Sequence, residues 1–196
     1  MAGIAVLVAG GLAGAGFALA GAVGSDRVDM DSDRAFSSAA EVRGALPEGP
    51  QMPKGWQVGD RAQAAASKPS DCDTAECRGM LFYGGDSFGD RRSGEELRFT
   101  LMAFRDRTSA VKAFKVVTAA LDKDSVTRVT PPDVGAESVA GDVVDGGTGH
   151  GTQLFMRVGT AIAGVLYGGS GSGQLDPHLL GDQARMFADR IAHAED

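Results

Sequence analysis

An α+β domain built on one antiparallel sheet of about five to six strands, with two helices packed on one face, is the fold that this chain predicts. Three observations carry it. Leu97, Phe99, Leu101 and Ala103 alternate with Arg98, Thr100, Met102 and Phe104, the two-residue period of a strand. Residues 153–158 and 161–167 flank Gly159-Thr160, a two-residue hairpin signal because glycine tolerates positive φ. Residues 109–123 and the stretch after Pro177 space their apolar side chains as helices do.

From the front of the 196-residue chain, Met1 to Ser25 carries no charged side chain, and Asp26 is the first. An uncharged apolar run of this length suits lipid, where ~20 such residues span a bilayer. Residues 1–25 therefore read as a signal peptide or a membrane anchor. Ala18-Leu19-Ala20 and Ala20-Gly21-Ala22 fit the small-residue rule for cleavage, whereas no base precedes Arg27. The flank from Asp26 to Arg34 is net acidic. No cysteine lies near the end of the run to take a lipid anchor.

Residues 26–54 read as a disordered acidic and Pro-rich linker, because Pro47, Pro50 and Pro53 restrict φ and oppose helix. A single extracytoplasmic domain is expected over residues 55–196, entered at Trp56, the chain's only tryptophan. Cys72 and Cys77, the only cysteines, lie beyond the leader and read as a disulfide in an oxidising compartment. A metal site with Asp71, Asp73 or Glu76, and free thiols, are the alternatives. Zinc would need two further ligands at set distances, and His150, His178 and His193 show no such spacing.

Residues 78–83 make a short apolar strand, and a polar loop of about ten residues, Gly84 to Gly94, leads to the strand at 96–104. Asp106 to Ser109 offer caps to the first helix, whose stripe is Val111, Phe114, Val117 and Leu121. Its lysines Lys112, Lys115 and Lys123 fit a solvated face. Residues 126–130 are β-branched and stop at Pro131-Pro132, and 138–145 alternate weakly. Asp176-Pro177 opens the last helix, buried through Leu180, Ala184, Phe187 and Ile191.

Composition excludes more than it assigns. A formal net charge of −7 opposes nucleic-acid binding, which needs a basic footprint. It equally opposes docking on anionic lipid, so the membrane is met only through the N-terminal segment. The chain lacks asparagine, and with it N-linked glycosylation sites. Few Ile and Lys beside 29 Gly match GC-rich codons.

No motif names a reaction. Neither Gly146–Gly151 nor Gly168–Gly173 satisfies a nucleotide-binding glycine pattern. Ser170 and Ser172 are not framed as a hydrolase nucleophile, and Glu95, Glu96, Asp86 and Asp90 fit an acidic surface without invoking sugar hydrolysis. No catalytic, cofactor-binding or metal-binding residue is assigned, and no cofactor is expected. Trp56, Tyr83 and Tyr167 are the candidate lining of a ligand site.

Several short motifs together resemble a known group. Pro53-Lys54-Gly55-Trp56, the cysteine pair, Ala103-Phe104-Arg105-Asp106 before a helix, Val134 to Ser138, Met156 to Thr160 and the Ala/Arg-rich final helix are similar to exported actinobacterial lipoprotein-like proteins. They also resemble the extracellular sensor-like domain of actinobacterial serine/threonine kinases, over Trp56 to Ala194. That resemblance implies an α+β extracytoplasmic domain without catalytic residues that senses a small ligand or a cell-envelope component. One cysteine pair stands where the family has two disulfides, and no functional residue carries over. A secreted hydrolase with a dispersed active site and a partner-docking protein of the cell surface are the alternatives.

Overall fold

The computed structural model describes residues 30–67, 77–121, 127–144, 150–169 and 176–195. The expected leader, Cys72, Lys123 and the two glycine loops at 146–149 and 170–173 lie outside them. Within the described residues the chain forms α1 (Ala39–Ala45), a single 3-10 turn (Gly49–Gln51), β1 (Gln57–Val58), β2 (Gln63–Ala66), β3 (Met80–Asp90), β4 (Glu95–Phe104), α2 (Arg107–Leu121), β5 (Thr127–Val129), β6 (Glu137–Val144), β7 (His150–Val158), β8 (Ala161–Gly169) and α3 (Pro177–Glu195).

The strands make one antiparallel sheet in the order β1-β3-β4-β8-β7-β6-β5, with β2 also paired to β3. The α+β class and the antiparallel sheet stand as the sequence predicts. The β7–β8 hairpin turns at Gly159-Thr160, with Gly159 at φ 53°. One difference concerns β3. Gly84 to Asp90 continue the strand instead of forming a loop, so only residues 91–94 turn back into β4. The glycines mark close approach here: a Cβ on Gly84 would meet the Gln63 carbonyl oxygen at 2.8 Å.

The helices do not share a face. Leu97, Phe99, Leu101 and Ala103 of β4 join Ala161, Ala163, Val165 and Tyr167 of β8 and Leu154, Met156 and Val158 of β7 on one side. There α3 packs Leu180, Ala184, Phe187 and Ile191, and α1 packs Val42 and Ala45. On the other side Phe104, Ile162, Phe155 and Val139 form a floor for Ala110, Ala113, Phe114, Val117 and Leu121 of α2. Phe104 and Ile162 belong to the outward set of their strands, so that end of the sheet is apolar on both sides and needs a helix on each. Asp106 caps α2: its Oδ1 accepts from the Ser109 N–H at 2.7 Å, and this bond holds its carboxyl below the ordinary value.

The described part of the expected linker is folded. Phe36, Val42, Ala45, Leu46 and Met52 are buried in the main core. Ser38 caps α1 by accepting from Glu41 N. Residues 30–34 are held at the β7–β8 turn: Gly159 N donates to Met30 O at 2.9 Å and Thr160 Oγ1 to Arg34 O at 3.0 Å. Arg157, 5% exposed, is paired at 2.7 Å with both Asp31 and Glu137, while Arg107 on α2 pairs with Asp31. Proline-rich composition suggests an open tether, but Phe36 and Leu46 bury enough apolar area to hold the segment down.

A chain starting at residue 30 is expected to unfold cooperatively on urea titration. One starting at residue 55 loses Phe36, Val42, Leu46 and Met52 from the core. At roughly 1.5–3 kcal/mol each, that loss is comparable to the whole stability of a typical domain, and circular dichroism should find it largely unfolded. Glu137→Ala removes one of the two carboxylates on buried Arg157, leaving Asp31 as its remaining carboxylate partner, and is expected to cost about 1–2 kcal/mol, less in high salt.

Candidate functional site

The end of the sheet opposite the β7–β8 turn brings together two of the three candidate residues, Trp56 and Tyr167. Pro53 to Trp56 form a tight turn, with Trp56 N donating to Pro53 O at 3.1 Å and Gly55 at φ 102°. The turn lets the indole fold back over the end of β8. Its ring centroid lies 6.4 Å from that of Tyr167, tilted by 46°. Trp56 is half-buried against the main core.

Tyr167 is a pin more than a lining residue. It is 1% exposed, and its hydroxyl donates to Glu95 Oε1 at 2.6 Å while accepting from Asp176 N at 3.4 Å. Burial first, and then the bond to Glu95, pushes its pKa up to about 12. It thereby ties β8, β4 and the entrance of α3. Tyr83 stands elsewhere: it pairs with Met102 on the opposite face of the sheet and is 42% exposed. Of the three expected aromatics, Trp56 and Tyr167 meet and Tyr83 does not join them.

Beside Trp56 a cleft of about 400 Å³ is lined by Lys54, Gly55, Gln57, Asp90, Arg91 and Arg92. The pairing of β1 with β3, Gln57 opposite Gly89 and Val58 opposite Phe88, presses the turn at 54–55 against the turn that follows Asp90. Asp90 Oδ1 accepts from Arg92 N at 2.8 Å, which fixes the carboxylate at the turn. Lys54, Arg91 and Arg92 have no carboxylate partner among the described residues. The sequence hides this cleft, because Lys54 reads as linker and Arg91-Arg92 as an ordinary polar turn. Only a β1–β3 pairing, invisible in a two-residue strand, brings them together.

A second groove, about 570 Å³, runs between α1 and α3 and is lined by Gly44, Gln51, Met186, Asp189, Arg190, His193 and Ala194. Arg190 dominates it. Its guanidinium donates to the Gly44 carbonyl at 2.6 Å, the Ala45 carbonyl at 3.2 Å and Gln51 Oε1 at 3.1 Å, satisfying the C-terminal carbonyls of α1. Asp86 lies on the same face of the sheet, opposite Phe99, 5% exposed and with neither carboxylate oxygen hydrogen-bonded. Burial raises its pKa from 3.8 to about 7, opposed only in part by the charge of Arg190.

The residues considered for catalysis are scattered. His150, at the start of β7, and His178, in the first turn of α3, are exposed. His193 borders the second groove, where its Nδ1 lies 2.6 Å from the Asp189 carbonyl oxygen, and among the described residues neither serine nor cysteine lines that groove. Glu95 is engaged by Tyr167 and Ser93, and Glu96 by Arg98. Among the described residues no three of His, Cys, Asp and Glu are grouped to hold a metal ion. Cys77, before β3, is disulfide-bonded rather than a free thiol, and Cys72 lies outside the described residues. No described helix is long and apolar enough to cross a membrane.

Asp86 makes stability depend on pH with a definite sign. Between about 4 and 7 the folded chain holds a proton that the unfolded chain has released, so stability falls as pH rises through that range and is level above it. Asp86→Asn keeps the shape of the neutral acid and removes the fall. Urea denaturation at pH 8 should find the variant more stable, by up to about 4 kcal/mol, with little difference at pH 4. Tyr167→Phe breaks the link to Glu95 and is expected to cost about 1–2 kcal/mol without changing the far-UV spectrum.

No protein-family model matches the sequence, and no curated protein matches it. The fold is similar to the crystal structure of the extracellular domain of PknH from Mycobacterium tuberculosis, at a TM-score of 0.54 and 11% identity, over 82% of this chain and 98% of that one. At that identity the likeness is one of fold.

Proposed function

We propose that this chain is a non-catalytic extracytoplasmic domain, secreted or held at the membrane by its N-terminal segment, that binds a small ligand or a cell-envelope component. The observation that carries this reading is the fold shared along nearly the whole length of an extracellular domain. The uncharged opening from Met1 to Ser25 supports the same compartment. Among the described residues, scattered histidines and an engaged Glu95 bring no nucleophile and base together, which weighs against the hydrolase alternative. The cleft beside Trp56 is where binding is assigned, since it combines concavity, unpaired polar groups and a neighbouring aromatic ring. Cys72 and Cys77 are proposed to pair with each other.

The test uses residues 30–196 and fractions of the bacterial envelope, split into soluble extract and insoluble wall. Thermal unfolding should shift upward with at least one fraction, and Trp56 fluorescence should change with it. No shift with any fraction, together with turnover of a generic ester or glycoside substrate, would transfer the chain to the hydrolase class. Intact mass of the exported full chain, with and without reductant, is expected to show one disulfide.

A further inference from the structure

We propose that the cleft beside Trp56 is an oxyanion site, taking phosphate groups borne on a soluble or wall-bound molecule rather than on membrane lipid. The inference deepens the binding role proposed above and rests on it. Lys54, Arg91 and Arg92 converge on one concave surface of about 400 Å³, with Asp90 the only acidic residue among the described residues that line it. On a chain of net charge −7, a concave surface with cations in excess is a local reversal of sign. Like charges brought together at an unpaired site repel one another, so a bound anion relieves a cost that the empty cleft carries.

Among the described residues these charges form no ion pair with the acid beside them. Asp90, the acid nearest in sequence, is already oriented by the Arg92 backbone N–H. Several arginines elsewhere are engaged, Arg157 and Arg107 by Asp31, Arg185 by Asp182, and Arg190 by the end of α1, so the cleft is set apart by the convergence of its cations and not by their being unpaired. Guanidinium groups suit a phosphate particularly well, since their planar N–H pairs match two oxygens at once. Gln57 adds a neutral donor, and Gly55 leaves the rim without a side chain.

Geometry also chooses between sources of phosphate. Residues 30–34 dock at the β7–β8 turn, one end of the sheet. The cleft sits at the other end, next to Glu95, which pairs with Gly169 at the far terminus of β8. A strand of nine residues separates the two, roughly 25–30 Å at ~3.3 Å per residue. A chain held in a bilayer through the segment before residue 30 would therefore hold the cleft away from the lipid surface.

The lone tryptophan beside the cleft supplies the readout. Trp56 fluorescence of residues 30–196 is titrated with inorganic phosphate, with a short linear polyphosphate, and with phosphatidylcholine vesicles with or without phosphatidylglycerol. The variants are the triple substitution Lys54→Gln, Arg91→Gln, Arg92→Gln and a control, Lys112→Gln with Lys115→Gln on α2. All five positions are exposed, and unfolding curves check that each variant folds. The expected result is saturable binding of polyphosphate, tighter than phosphate, weakened roughly tenfold or more in the triple variant, unchanged in the control and reduced by salt.

Absence of saturation, equal binding by the triple variant, or equal weakening by the control would overturn the site. Binding to phosphatidylglycerol vesicles through the same residues would overturn the assigned source. If envelope fractions stabilise the protein while polyphosphate does not bind, the oxyanion assignment fails and the broader binding role survives. If neither acts, both fail.

Discussion

The pairing of β4 with β8 is the contact on which the rest of the molecule depends. It joins the β3–β4 hairpin to the β6–β7–β8 meander, two units that each close locally, across residues more than fifty positions apart in the chain. Its register sets Leu97, Phe99, Leu101 and Ala103 against Tyr167, Val165, Ala163 and Ala161, which makes the central apolar surface continuous. A one-residue slip would send that whole set to the other face. Everything on the α1 and α3 side, including Phe187 edge-on to Phe99 at 5.4 Å, rests on this surface.

Polar groups in the interior are spent on holding segments together. Arg157 ties the amino-terminal segment to β6 and β7, Arg190 closes the end of α1 onto α3, and Tyr167 joins two strands to the entrance of the last helix. Each is nearly or partly buried and each has several partners, as buried polar groups require. Asp86 and the Gln183 Oε1 are exceptions among the described residues, and the Asp86 carboxyl, opposite Phe99 in the sheet, has no donor on either oxygen. Its neutral form is tolerated at the acid end of the physiological range, and its ionised form carries a desolvation cost.

The cleft beside Trp56 differs from these in having no internal work to do. Its cations face outward, its floor is made by two turns, and its formation requires only that the 54–58 segment lie along β3. Loops held by a rigid sheet are common places for binding residues, because their side chains can change without cost to the core. The second groove, filled by the Arg190 network, is instead a seam between helices.

The sequence by itself determined the strands with a clear period, the Gly159-Thr160 hairpin and both long helices, because each is written in local spacing of apolar side chains. Asp106 and Pro177 marked the helix entrances for the same reason: capping is a matter of one or two neighbouring residues. Only the tertiary structure decided that α2 and α3 take opposite faces, since Phe104 and Ile162 look like an outward set until a helix covers them. It also decided that residues 30–54 belong to the domain, because prolines describe backbone freedom and not what Phe36 and Leu46 find to bury against. The convergence of Lys54 with Arg91 and Arg92 was beyond any sequence pattern: it arises from two residues of β1 pairing with a strand thirty positions away, and pairing over such a distance leaves no periodic trace.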